Sequence, residues 1–146
     1  MNAGRTLHGS AAARGEAGVL LLGGPGAGKS DLVLRLVRHG FCLIADDQVR
    51  IVDGVASAPA LLAGMLEVRG LGLVRLPHVS ARLMLVVELG TPQTGVTARL
   101  PEPRRYPDLD LPVITLDPGA ASAPDRIALA LDCLQGTVPL LVGAFA

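Results

Sequence analysis

Lys29 is the one lysine of the chain, and it closes the run Gly23-Gly24-Pro25-Gly26-Ala27-Gly28-Lys29-Ser30, which matches G-x-x-x-x-G-K-S/T at every fixed position. Backbone N–H groups of such a loop, with those of the helix behind it, cradle phosphate oxygens. On this reading Gly23, Gly24, Pro25, Gly26, Ala27 and Gly28 shape the cradle. Lys29 grips the β and γ phosphates of a nucleotide, and Ser30 offers its hydroxyl to magnesium. Asp46 and Asp47 end the next apolar run. Two adjacent acids at one site repel unless a cation compensates them, which magnesium does. Alternation along an extended segment sends the two side chains to opposite sides. One can then face the γ-phosphate as a base while the other supports the metal or the loop. Glu67 and Arg69 share parity beside a second glycine-rich stretch, Arg69-Gly70-Leu71-Gly72, with a surface ion pair as the competing reading. His8, followed by Gly9, is uninformative in isolation.

The elements that must position these residues follow from pattern. Residues 19–22 are continuously apolar between glycines, as in a strand buried on both faces. After the loop, residues 30–39 carry Leu32, Val33, Leu36 and Val37 at helical spacing, and Gly40 is a natural stop. Residues 41–45 read as a second strand. Strand, loop, helix, strand and then acids is the order that places a ligand beyond the carboxyl ends of strands. Asp53-Gly54 between residues 49–52 and 55–57 reads as a hairpin turn, so the sheet is mixed. A helical turn over 59–64, strands over 65–68, 82–89 and 111–116, and a helix that starts near Ala123 and is ended by Gly136 complete the pattern. Prolines at 92, 101, 103 and 107 make 90–110 a surface loop, and residues 1–6 are expected to be poorly ordered.

Length and composition bound the rest. At 146 residues the chain suits one α/β domain, 1–146, and with 2% aromatic residues its core is filled by aliphatic side chains. A formal charge of zero removes the simple argument for nucleic acid or an anionic membrane. The apolar residues 138–146 are too few to span a bilayer, and no secretory signal core stands at the N-terminus. Cys42 and Cys133 lie in apolar runs and are expected to be free thiols of a cytoplasmic protein. A GTPase would need an Asn-Lys-x-Asp motif, which the single lysine, already in the loop, excludes. A small-molecule kinase and a nucleotide-binding regulatory module without turnover stay open.

Taken together, Leu7-His8-Gly9, the loop 23–30, Leu43-Ile44-Ala45-Asp46-Asp47-Gln48-Val49 and Leu66-Glu67-Val68-Arg69-Gly70-Leu71-Gly72 resemble the catalytic domain of the HPr kinase/phosphorylase family. The likeness runs, more weakly, from His8 to the helix near Leu134. It implies an ATP- and magnesium-dependent protein-serine kinase acting on HPr, the phosphocarrier of the phosphotransferase system, or its nitrogen-related paralogue. By the same resemblance Asp47 is the base that takes the seryl proton with Asp46 beside it, and Ser30 and Glu67 are magnesium ligands. Lys29 is the phosphate clamp, His8 the active-site histidine, Arg69 part of the second signature loop, and Arg99 the counterpart of a further active-site arginine. The family's usual N-terminal domain is not matched, so a short form built of the catalytic unit is implied, as is a homo-oligomer. Where the family carries a basic Arg-Pro-Gly-Arg-Asn loop tied to dephosphorylation, this chain has Leu116-Asp117-Pro118-Gly119-Ala120, which weighs against phosphorolysis.

Overall fold

The computed structural model describes residues 4–90 and 99–146. In chain order they form β1 (Arg5–His8), β2 (Ser10–Arg14), β3 (Ala17–Leu22), α1 (Lys29–Arg38), β4 (Cys42–Ala45), β5 (Gln48–Val52), β6 (Val55–Ser57) and a 3-10 turn (Ala60–Leu62). There follow β7 (Met65–Val68), β8 (Gly72–Arg75), β9 (Ala81–Leu89), β10 (Arg105–Tyr106), β11 (Leu111–Leu116) and α2 (Ala123–Leu134). One mixed sheet runs β1-β5-β6-β9-β3-β2-β4, and β7 and β8 form a separate hairpin.

The apolar run expected at 19–22 is the centre of this sheet. β3 pairs in parallel with β9 and antiparallel with β2. Its residues alternate between two cores: Val19 and Leu21 face α1 and α2, while Leu20 faces the other way. On the helix side Leu32, Val33 and Leu36 of α1 meet Leu85 and Val87 of β9 and Ile127 and Leu131 of α2. On the far side Leu20, Ile44, Val86 and Val113 are covered by Val49, Ile51 and Ala56, because the sheet curls until β4 approaches β6. Each such aliphatic side chain contributes about 1.5–3 kcal/mol by leaving water.

The mixed α/β character, the hairpin over β5 and β6, and both helices agree with the sequence pattern. Val52 pairs with Val55 across Asp53 (φ 51°) and Gly54 (φ 79°), the positive dihedrals that a tight hairpin turn of this kind requires.

Three expectations are corrected, and one strand is new to the sequence reading. Arg5 and Thr6 are not poorly ordered, because β1 pairs antiparallel with β5; residues 1–3 lie outside the described residues. Ser10–Arg14 is a strand although alanine is a poor strand former, since it lies between β3 and β4 with Ala11, Ala12 and Ala13 buried. Gly72 opens β8 rather than closing a loop, and its strand pairs with β7 from Val68↔Gly72 to Met65↔Arg75. Within the stretch expected to be loop, Arg105–Tyr106 pairs with the start of β11; residues 91–98 lie outside the described residues.

Cys42 and Cys133 are free and half-buried. Among the described residues no helix is long and apolar enough to cross a membrane.

The pairing of β3 with β9 shifts register between Gly18 and Val19. A Cβ on Gly18 would stand 2.8 Å from the carbonyl oxygen of Arg82. Gly18→Ala is therefore expected to lower unfolding stability by about 1–3 kcal/mol through overpacking, read by urea denaturation. An unchanged midpoint would show that β9 can retreat at no cost.

Candidate functional site

β3, β9 and β11 run parallel, and β4 has the same direction because it follows two antiparallel steps through β2. Their carboxyl ends therefore lie along one edge of the sheet. The glycine loop, Asp46-Asp47, Gly90 and the turn at Asp117 all emerge there. β2 runs the opposite way, with Ser10 opposite Leu21, so the junction His8-Gly9-Ser10 reaches the same edge. Gly9 is required at that junction, since a Cβ would lie 2.9 Å from the carbonyl of Leu21, and its N–H donates to the Asp47 carbonyl at 3.1 Å.

The loop has the backbone that its glycines permit. Gly26 (φ 77°) and Gly28 (φ 98°) are left-handed, and a Cβ on Gly23 would meet that of Ala27 at 2.9 Å. No side chain caps α1 at Gly28, which leaves first-turn N–H groups of the helix available to an anion. The Lys29 ammonium, 8% exposed, donates to the carbonyls of Gly23 at 2.8 Å and Gly24 at 3.1 Å.

Behind the loop, Arg35 of α1 donates to the carbonyls of Pro118 and Ala120. This ties the turn after β11 to the helix, and Pro118 lies 3.5 Å from where a Gly28 Cβ would stand.

Asp46 and Asp47 diverge, but not by strand pleating. Both follow the end of β4, and Asp47 has φ 70°, so a bend separates them. The Asp46 carboxylate turns inward. Its Oδ1 accepts from Ser10 Oγ at 2.7 Å, and both of its oxygens lie 2.9 Å from Ser30 Oγ. Asp47 is exposed, with Oδ1 at 3.4 Å from His8 Nδ1.

A cleft of about 600 Å³ collects these groups. Residues 25–31 form one part of its lining, and His8, Ser10, Asp47, Glu67 and Arg69 contribute to the rest. Glu67 and Arg69 arrive because the β7–β8 hairpin packs on α1 through Leu66. Among the described residues neither forms an ion pair, so both heads stay available to a ligand.

Gly23 and Gly24 are not among the lining residues, and their carbonyls hold Lys29. Asp46 is not itself in the lining and meets it through Ser10 and Ser30. Arg99 is exposed and is not brought to the cleft.

Among the described residues no three His, Cys, Asp or Glu side chains cluster as a metal cage. The Ser30 hydroxyl and the Glu67 carboxylate are nevertheless hard oxygen donors in one cleft. That suits magnesium, which takes few protein ligands and completes its shell with water and phosphate oxygens.

Ser10 escaped the sequence reading. Its signal was a lone hydroxyl after His8-Gly9 at the head of an alanine run, meaningful only if that run is a strand beside β3.

The fold and the cleft define an α/β domain with a mixed sheet whose glycine loop and acids share the carboxyl edge. The chain belongs to the family described as HPr Serine kinase C-terminal domain, whose sequence pattern matches residues 1–89. It is 36% identical to the HPr kinase/phosphorylase of Xylella fastidiosa (strain M12) over 133 residues, which cover 76% of this chain and 42% of that protein. It is 35% identical over 140 residues to the HPr kinase/phosphorylase of Cupriavidus metallidurans, covering 86% of this chain and 43% of that protein. The chain thus spans less than half the length of these curated relatives. The solved structure of the Hpr(Ser) kinase/phosphatase from Coxiella burnetii superposes with a TM-score of 0.78 over 91% of this chain and 92% of that one, at 22% identity, and shows the shared fold.

Among the described residues Asp46 is the only acceptor for the proton of the buried Ser10 hydroxyl. Asp46→Ala is expected to cost about 1–3 kcal/mol in urea unfolding, the penalty of stranding a buried polar group. Asp46→Asn, which keeps an acceptor oxygen, should lose less.

Proposed function

We propose that this domain transfers the γ-phosphoryl group of ATP to a seryl hydroxyl of an HPr-like phosphocarrier, HPr itself or its nitrogen-related paralogue. The observation that carries the reading is that Asp47 and the glycine loop line one cleft. An exposed carboxylate and a phosphate cradle facing the same space are what an incoming alcohol needs.

The roles follow from the positions. Loop and α1 N–H groups bind the phosphates, and Lys29, now bonded to the Gly23 and Gly24 carbonyls, exchanges those partners for phosphate oxygens. The seryl oxygen forms a bond to the γ phosphorus as the bond to the β,γ-bridging oxygen breaks. ADP leaves, and the seryl proton passes to Asp47. His8, 3.4 Å from that carboxylate, orients it. Arg69 adds positive charge to the same cleft, and Arg99 belongs to this reading only through family resemblance. Ser30 and Glu67 would hold magnesium, which supplies positive charge against the phosphate oxygens. Positioning and charge neutralisation account for most catalysis of this kind.

Phosphorolysis is not part of the proposed activity. At the turn where the family resemblance calls for a basic loop, Asp117 caps the chain by accepting from the Gly119 N–H at 2.9 Å. The turn itself carries no basic residue, and the Arg35 guanidinium beside it is bonded to the Pro118 and Ala120 carbonyls. A homo-oligomer acting in the cytoplasm belongs to the same reading.

Purified HPr and ATP labelled at the γ position test it. The expected product is phosphoserine on the carrier. Label appearing only on small metabolites would favour a small-molecule kinase, and nucleotide binding without transfer would favour a regulatory module; either result overturns the proposal. Asp47→Asn should keep nucleotide affinity and lose about 10²–10⁴-fold in transfer rate, the usual contribution of a positioned base. Lys29→Met should lose nucleotide binding itself, read by equilibrium titration.

A further inference from the structure

Among the described residues only two polar or charged side chains are buried, Lys29 and Ser10. Lys29 belongs to the loop. Ser10 is fully buried, at the head of a strand otherwise built of alanines and Arg14. A hydroxyl in such a place costs stability unless its hydrogen bonds are met. Those bonds lead into the candidate site.

A serine hydroxyl has one proton to give and two lone pairs. Ser10 gives its proton to Asp46 Oδ1 at 2.7 Å and accepts, at 3.4 Å, from the backbone N–H of Asp47. It therefore touches both acids where the bend at Asp47 separates them. The Ser30 hydroxyl also has one proton, and among the described residues it is Asp46 that stands at 2.9 Å to receive it. With its proton directed to Asp46, Ser30 keeps its oxygen lone pairs for a cation. That direction holds only while the Asp46 carboxylate keeps its own orientation. Rotation of a carboxylate about its terminal bond is soft, and the 2.7 Å Ser10 bond adds a restraint on it from a second strand.

The geometry points to Ser10 as a positioning residue for the divalent cation: Ser10 holds Asp46, Asp46 takes the proton of Ser30, and Ser30 turns a lone pair to the metal. This rests on the nucleotide and magnesium reading of the cleft and adds to it a residue outside the glycine loop and the paired acids. Partners of this kind, one step removed from the metal, set ligand orientation and typically tune metal affinity by about 10–100-fold. Ser10 also serves the second acid. By accepting from the Asp47 N–H it steadies the backbone from which the Asp47 side chain departs.

The test is magnesium-dependent binding rather than turnover. The affinity of the whole chain for the β,γ-imido analogue of ATP is titrated without metal and across a magnesium series, for the native chain, Ser10→Ala and Ser10→Thr. Ser10→Ala is expected to raise the half-saturating magnesium concentration by about 10–100-fold while metal-free nucleotide affinity stays within about twofold, because the cradle and Lys29 do not depend on Ser10. Ser10→Thr, which keeps the hydroxyl, should restore the native magnesium response. A purely structural role would shift both affinities together, or neither. If Ser10→Ala lacks a cooperative melting transition, Ser10→Cys, close in volume and a weak donor, takes its place with the same expected loss. An unchanged magnesium response in a folded variant overturns the assignment of Ser10 alone. A native chain whose nucleotide affinity ignores magnesium overturns the metal reading and this inference with it.

Discussion

The half-buried carboxylate of Asp46 is the interaction on which the candidate site depends. It joins the start of β2, the end of β4 and the first turn of α1 through two hydroxyls. An acid at this depth is tolerable only when hydrogen-bonded, and each partner reaches it from a separate segment of chain. The bonds therefore hold only when β2 lies between β3 and β4. Placing β2 there also delivers His8 to Asp47 and fits Gly9 against the Leu21 carbonyl.

The sheet explains why this edge, and no other, gathers chemistry. β3, β9, β11 and β4 share a direction, so their carboxyl ends and the loops that leave them stand together. β3 is buried on both faces and fixes the start of the glycine loop. Opposite it, the β7–β8 hairpin rests on α1 and carries Glu67 and Arg69 on a support separate from the main sheet. The cleft lies between the glycine loop and this two-stranded hairpin.

Kinship with HPr kinase/phosphorylases agrees with this anatomy, and the fold shared with the Coxiella burnetii structure extends past the 1–89 match through most of the chain. The turn after β11 is tied to α1. Asp117 closes on Gly119, and the Pro118 and Ala120 carbonyls are bound by Arg35. That turn braces the loop from behind instead of offering charge to the cleft.

Much of this was legible in the residues. The glycine run, the apolar strand before it, the amphipathic helix behind it and the Asp53-Gly54 hairpin are local signals, set by dihedral freedom and by period, and the structure has each of them. What stayed hidden was non-local or ran against local preference. An alanine run has weak strand propensity, so β2 appeared only once its neighbours buried it. Alternation foretold that Asp46 and Asp47 would part, but a left-handed bend at Asp47 parts them instead. The sequence by itself determined the cradle, because a phosphate-binding loop is built from consecutive backbone atoms. Only the tertiary structure decided that Ser10, 36 residues from Asp46, would hold it, because hydrogen bonds between distant segments depend on strand order, and no periodicity in one chain records which strand will lie between two others.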